Sequence, residues 1–307
     1  MNITKECLME GNNETKLVIS FYALAYIDIL NQKEVLARID KIPENEEEKQ
    51  ELIKNLKESL GVIDAFRSGF DKVFNHEMSR ASFNSLNKIS NLTEEKDNLL
   101  SRIRGTEIKQ QLFSDSMIYY TSMASSPQFI PITGIHRLLY NIIIVLIATL
   151  PTGMVCRGGI EAGVAGEFFK GEIYGPALSQ AYILESEKAK YPRIVIGEEI
   201  CKYILSECQR KGNDLESKYR NWIAECCRKM ICTDVDGVKI LDYFGQTTRE
   251  MISDTQKSIV DDKESIEKAL EFAEKEWERF KSEGNEKLAQ RYFMLRHYIR
   301  SRKKFWS

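Results

Sequence analysis

Hydrophobic spacing changes several times along the chain and divides it into elements. Lys16 to Leu30 (KLVISFYALAYIDIL) is a strongly apolar run that reads as a strand, broken by one carboxylate, Asp28. From Glu44 to about Lys88 the spacing turns helical, with Leu52, Leu56, Leu60, Ile63, Phe66 and Phe70 three or four residues apart. Asn91 to Asp97 (NLTEEKD) has the form of a capping box that opens another short helix. Glu107 to Ser122 returns to strand spacing, two short strands flanking a hairpin tip at Ser114, Asp115 and Ser116. Pro131 to Leu150 reads as a buried helix. Met154 to Gly197 predicts two apolar strands closed by a glycine-bearing turn, a helix from Pro176 and a short strand after Pro192. Glu198 to Gln209 and Asp214 to Met230 read as helices, and the Asp236-Gly237 pair as a turn leading into a strand. The chain closes in a helical hairpin. Ile266, Leu270, Ala273, Trp277 and Phe280 form one stripe, Leu288, Tyr292, Leu295 and Ile299 the returning one, with Gly284 as the cap between them.

Composition narrows the picture only in places. The 307 residues, 43% hydrophobic and 29% charged, suffice for a full core, taken here as one domain over 1–307: a sheet-bearing core over about 16–245, a helical insertion over 44–105 and the hairpin over 254–304. A net charge of −2 gives no electrostatic case for a nucleic-acid partner. The start, MNITKECLMEGNNETK, places polar residues where a signal peptide needs an apolar core, and the apolar run Leu138 to Leu150 is too short to cross a bilayer. A cytoplasmic protein without membrane contact is the expectation. Seven cysteines, most between Cys201 and Cys232, fit no zinc template and read as reduced packing residues.

Three features carry candidate chemistry. Asp28 either ends its strand and caps the next helix or, because an unpartnered carboxylate among apolar residues is costly, holds a metal. Asp115 is either an ordinary turn residue or a second carboxylate paired with Asp28. Glycines at Gly158, Gly159, Gly163, Gly166, Gly171 and Gly175 are six of the chain's 17. They mark either a tight hairpin packed under a helix or a close approach to something bound.

Taken in order, AYIDIL, FSDS, RGGI, YGPAL-AY-LES and YPRIV resemble the catalytic domain of class III nucleotidyl cyclases. Within these they are most similar to the pyrimidine cyclases of Pycsar, a bacterial antiphage system that signals with cyclic UMP or cyclic CMP. The resemblance covers roughly Lys16 to Gly197. It implies an α+β fold: a ferredoxin-like antiparallel sheet with helices on one face, enlarged by the helical insertion and the terminal hairpin. It also implies a homodimer with a shared site and cyclisation of a nucleoside triphosphate, UTP before CTP, with release of pyrophosphate. Two divalent ions, Mn²⁺ or Mg²⁺, would be held by Asp28 and Asp115.

Around those ligands the resemblance suggests further roles. Backbone N–H groups from Ile29, Leu30 and Asn31 to Lys33, at a helix start, would cradle the triphosphate. Gln111 and Glu172 stand at the base-reading positions, and Tyr26, two residues before Asp28 and so on its strand face, would stack on or hydrogen-bond to the base. The sequence departs from the family where the transition-state Asn and Arg belong, having Ser179 and Ile183 there. Arg157 is the first candidate to supply the missing cation, ahead of Arg193 and Lys188. A purine cyclase and a cyclase-like binding or interaction module without turnover are the alternatives.

Overall fold

The structure, a computed structural model, describes residues 18–30, 42–76, 93–124, 126–168, 171–255 and 262–306. In chain order its elements are β1 (Val18–Ile29), α1 (Glu46–His76), α2 (Thr93–Arg104), β2 (Lys109–Phe113), β3 (Ser116–Ser122), α3 (Pro131–Thr149), β4 (Cys156–Phe168), β5 (Glu172–Tyr174) and α4 (Pro176–Ile183). There follow β6 (Ile194–Ile196), α5 (Glu198–Cys208), α6 (Leu215–Lys229), β7 (Ile231–Thr233), β8 (Lys239–Leu241), α7 (Gln246–Thr255), α8 (Asp262–Ser282) and α9 (Glu286–Arg302). The chain is mixed α+β. Its sheet runs β2-β3-β1-β4-β6-β8-β7, with β5 attached to β4, and among the described pairings only β4 with β6 is parallel.

β1 lies at the centre of this order, between β3 and β4, and alternation sends its side chains to two different cores. Ala23, Ala25, Ile27 and Ile29 face the larger core, filled by α1, α2, α3 and the later helices, whereas Tyr22 and Leu24 face a smaller one. α4 covers that second face: Ala177 and Ala181 pack with Tyr22, Leu24, Ile118, Tyr120, Ala165 and Ile173. The expectation of helices on one face alone is therefore corrected. Both faces of β1 are apolar, and a bare face would expose a contiguous hydrophobic patch. Each large side chain buried there contributes about 1.5–3 kcal/mol.

Two helical expectations also change. The apolar run Leu138–Leu150 sits inside a longer helical stretch, Pro131–Thr152, whose 22 residues are long and apolar enough to cross a bilayer by length and composition; an 18-residue window of it has mean hydropathy 1.7 and is 83% buried inside the protein, as a core helix is. The α1 stripe is buried only in its second half. Phe66 and Phe70 are fully covered and, with Phe74, stack toward Tyr119, but Leu56 and Leu60 remain 38% and 55% exposed.

The terminal hairpin follows its two stripes. Gly284 takes φ +70° between the helices, and the Asn285 side chain accepts from Leu288 N–H at 3.2 Å to start α9. It docks on the main core: the Tyr298 hydroxyl donates to Asp242 (2.9 Å) and Trp306 Nε1 to the Phe244 carbonyl (2.8 Å).

α5 and α6 are joined through one buried carboxylate. Glu207 accepts from Nε and Nη2 of both Arg210 (3.0 and 2.8 Å) and Arg220 (2.8 and 2.8 Å). Burial opposes its ionisation, but the two guanidiniums prevail and hold it below the usual carboxylate range. A carboxylate depressed on folding stabilises fully above its unfolded value of about 4.3 and loses that contribution as pH falls through the lower folded value. Urea unfolding should accordingly show Glu207→Gln less stable than wild type at pH 7, with a shallower loss below pH 5. An acid limb parallel to that of wild type would show that this carboxylate does not set it.

Candidate active site

The carboxyl end of β1 gathers the candidate chemistry on the face that α4 covers. Asp28 pairs across the sheet with Ser116 on β3 and Arg157 on β4, so the three side chains share that face. Ser116 Oγ donates to Asp28 Oδ1 at 3.1 Å and accepts from the Tyr26 hydroxyl at 2.9 Å. Arg157 Nη2 lies 3.8 Å from Asp28 Oδ2, and the Asp28 side chain keeps 23% of its surface exposed. Tyr26 does share the Asp28 face, as its spacing requires. Its hydroxyl is used to position Ser116, and its ring meets Tyr182 edge-on at 5.4 Å. Burial pushes the phenol up, the bond to Ser116 opposes this, and the charges of Asp28 and Glu185 add to it.

Asp115 arrives from the β2–β3 hairpin. Its carbonyl accepts from Ile29 N–H at 3.0 Å, which sets it beside the residue after Asp28. Ser114 turns the tip with φ +35°, and Arg67 of α1 holds it by donating to the Ser114 carbonyl at 2.6 Å. Chain topology thus brings the two acidic residues to adjoining backbone positions. The same bonds correct the expected phosphate cradle. Ile29 N–H is taken by the Asp115 carbonyl and Leu30 N–H by the Val155 carbonyl at 2.9 Å, because cross-strand bonding continues one residue past the end of β1. Asn31, Gln32 and Lys33 lie outside the described residues.

A second carboxylate reaches Arg157 from above. α4 widens into a π-type turn over Leu184–Lys188, closed by Ala189 N–H on the Leu184 carbonyl at 2.9 Å. The turn lowers Glu185 onto Arg157 Nε, where the two form an ion pair with Glu185 almost wholly buried. Burial pushes the Glu185 carboxyl up; Arg157 works against this and the charge of Asp28 adds to it. Arg291 of α9 lies close enough for its field to act on both: burial and the Arg157 charge lower it, while Glu185 raises it.

Arg157 is therefore the candidate cation that faces Asp28. Arg193 is not: it is fully buried, paired with Asp234 and Asp236, and donates to the Lys188 carbonyl at 2.6 Å. Gln111 pairs with Ile118, which in turn pairs with Tyr26, putting it on the same face two strand spacings, about 10 Å, away. Its side-chain oxygen is already used, accepting from Ile173 N–H at 2.8 Å, because β5 curls over to meet β2; Glu172 stands exposed beside that bond. Gln111 thus keeps its NH2 donors and one lone pair of its oxygen to offer a base.

Three participants have no role in the sequence expectations. Ser116 was counted with the hairpin tip, yet it is the first residue of β3 and its register partner is Asp28. Glu185 belongs to LES, a stretch recognisable by its order but silent on what its carboxylate touches. Arg291 comes from the terminal hairpin, and no local pattern relates it to residues so far back in the chain. Oxygen donors of the Asp28 and Asp115 kind suit Mg²⁺ or Mn²⁺, with Ser116 orienting the first. Among the described residues no group of three or more His, Cys, Asp or Glu side chains surrounds a cation position. No protein-family model matches this chain, and no curated protein or solved structure matches it either.

Proposed function

We propose that the chain is a metal-dependent nucleotidyl cyclase that converts a pyrimidine nucleoside triphosphate, UTP in preference to CTP, to its 3′,5′-cyclic monophosphate and pyrophosphate. The observation that carries this is the backbone adjacency of Asp115 to the carboxyl end of β1, where its carbonyl accepts from Ile29 N–H, with Arg157 facing Asp28. The order β4-β1-β3-β2, with crossover helices between β1 and β2 and between β3 and β4, matches a ferredoxin-like sheet, the architecture that the class III resemblance implies. The same resemblance gives the homodimer and the role in antiphage signalling.

Divalent ions, when bound, lower the pKa of the attacking 3′-hydroxyl and neutralise the phosphates. Asp28 and Asp115 supply the negative charge that holds them, and Ser116 fixes the Asp28 carboxylate in the direction of its Oδ1 bond. Arg157 offers a planar donor to phosphoryl oxygens beside that carboxylate. Tyr26 and the half-exposed Tyr182 give an aromatic edge next to the carboxylates, where a base would stack.

One observation favours a second reading. Arg157 already lies against both Asp28 and Glu185, an engagement that suits a cyclase-like module binding a nucleotide without turning it over. Incubating the purified chain with each of the four ribonucleoside triphosphates and Mn²⁺, and identifying products by mass spectrometry, separates these readings. Cyclic UMP or cyclic CMP with matching pyrophosphate is expected, falling to background in Asp28→Ala. Cyclic AMP or GMP instead would move the assignment to a purine cyclase. Triphosphate binding without pyrophosphate release would establish the module, and activity undiminished in Asp28→Ala would overturn the proposed site.

A further inference from the structure

We infer that the helical insertion controls the candidate site through Arg67 of α1, a positioning residue that holds the Ser114–Asp115 tip in a strained conformation and so sets where Asp115 meets the end of β1. The inference takes from the cyclase reading only that Asp115 belongs to the site. Phe113 on β2 pairs with Ser116 on β3, so Ser114 and Asp115 form a two-residue hairpin loop. Ser114, the first of the two, takes φ +35°. A positive φ at that position favours glycine, because a Cβ crowds the backbone there. Serine brings no such ease, and a strained residue persists only where its surroundings over-determine it. Arg67 supplies the hold: its Nη2 donates to the Ser114 carbonyl at 2.6 Å, a charge-assisted bond from a helix 47 residues earlier in the chain.

Both ends of this link are fixed. On the helix side, Phe66 and Phe70 flank Arg67 and are fully buried, and Phe70 and Phe74 stack on Tyr119 of β3 at 5.0 and 4.5 Å. On the strand side, the Asp115 carbonyl accepts from Ile29 N–H at 3.0 Å, one residue past Asp28. Tyr119 faces the larger core with α1, whereas Ser116, next to the tip, reaches Asp28 on the opposite face. Arg67 therefore carries the position of α1 around the end of the sheet to the site. α1 is one continuous helix of 31 residues, and its first half leaves Leu56 and Leu60 exposed. A continuous helix moves as one element, so a shift of α1 reaches the tip through Arg67.

The test is amide hydrogen exchange of the purified full chain, read by NMR at Ile29 and Leu30. Ile29 N–H bonds to the Asp115 carbonyl and reports the tip, whereas Leu30 N–H bonds to the Val155 carbonyl beside β4 and is the internal control. Arg67→Met is expected to speed exchange at Ile29 on the order of tenfold, the scale of one lost hydrogen bond to a charged group, and to leave Leu30 unchanged. Arg67→Lys, which keeps a charged donor, should fall between. Adding Ser114→Gly to Arg67→Met should return Ile29 to the wild-type rate, since glycine keeps a positive φ without help. A packing role for Arg67 predicts instead that both amides quicken together and that glycine rescues neither. An unchanged Ile29, equal acceleration of both amides or failure of the glycine rescue overturns the inference. Turnover with UTP and Mn²⁺ is scored separately: Arg67→Met should lower kcat on the order of tenfold with KM little changed, and Ser114→Gly should restore it. The expected exchange pattern with no cyclic product from wild type rejects the cyclase and keeps the hold on the tip. Cyclic product undiminished in Arg67→Met keeps the cyclase and overturns control by α1.

Discussion

Arg193→Met is expected to lower folding stability by about 3–5 kcal/mol, the cost typical of removing one side of a buried ion pair and stranding the other. Arg193 has no exposed surface and spans two carboxylates: Nη1 meets Asp234 and also Asp236 Oδ1 (3.0 Å), and Nη2 meets Asp236 Oδ2 at 2.7 Å. Asp234, only 8% exposed, also accepts from the Tyr191 hydroxyl at 2.7 Å, and the Tyr191 ring lies 4.8 Å beneath the guanidinium. Methionine fills much of the space but leaves both carboxylates without their cation. Guanidinium chloride unfolding measures the loss, and adding Asp234→Asn and Asp236→Asn should recover part of it by removing the stranded charges. A loss below about 1 kcal/mol, the range of a solvent-exposed pair, would show that water reaches this cluster.

The same arginine matters to the site from behind. By donating to the Lys188 carbonyl it fixes the last residue of the π-type turn whose second residue is Glu185. Loss of Arg193 should loosen the seat of Glu185 beside Arg157 as well as the fold. The residue suggested by sequence as a spare transition-state cation thus acts at a distance, through the backbone it holds.

Local pattern exposed most of the elements and little of their mutual arrangement. The apolar run ending at Asp28, the strand spacing around Asp115, the Pro176 helix start and the Gly284 cap are each written in a few neighbouring residues, and each element stands where those residues put it. That Asp28 and Asp115 adjoin depends on β3 pairing with β1 in one register, which no local spacing encodes. The Ile29 and Leu30 cradle failed for a related reason: the run of apolar residues shows a strand but not which strand will claim its last N–H groups. Covering of the second sheet face by α4 was open to inference, since an uninterrupted apolar strand implies two covered faces. Glu185 and Arg291 were not, because a charged residue on a helix looks solvated until the surface it lands on is known.

Gly159 is where that landing is decided. A Cβ built there would stand 2.2 Å from the Ala181 carbonyl oxygen, 2.6 Å from Leu184 Cβ and 3.0 Å from Glu185 N. Two of these are backbone atoms and the third is fixed to the backbone, so no rotamer change relieves them and α4 with its π-type turn must lift from β4. Gly159→Ala is therefore expected to cost about 3 kcal/mol, the upper range for overpacking, and to carry Glu185 away from Arg157. Gly163, four residues along the same strand and face, is the internal control. Its Cβ would meet Ala177 Cβ at 3.4 Å, an ordinary contact, so Gly163→Ala should fall within about 1 kcal/mol of wild type, aided by the lower entropy of its unfolded chain. Thermal and urea unfolding of the two variants side by side decide the matter. Equal stabilities would mean that α4 does not rest on Gly159 as closely as drawn, and the route by which Glu185 reaches Arg157 would fall with it.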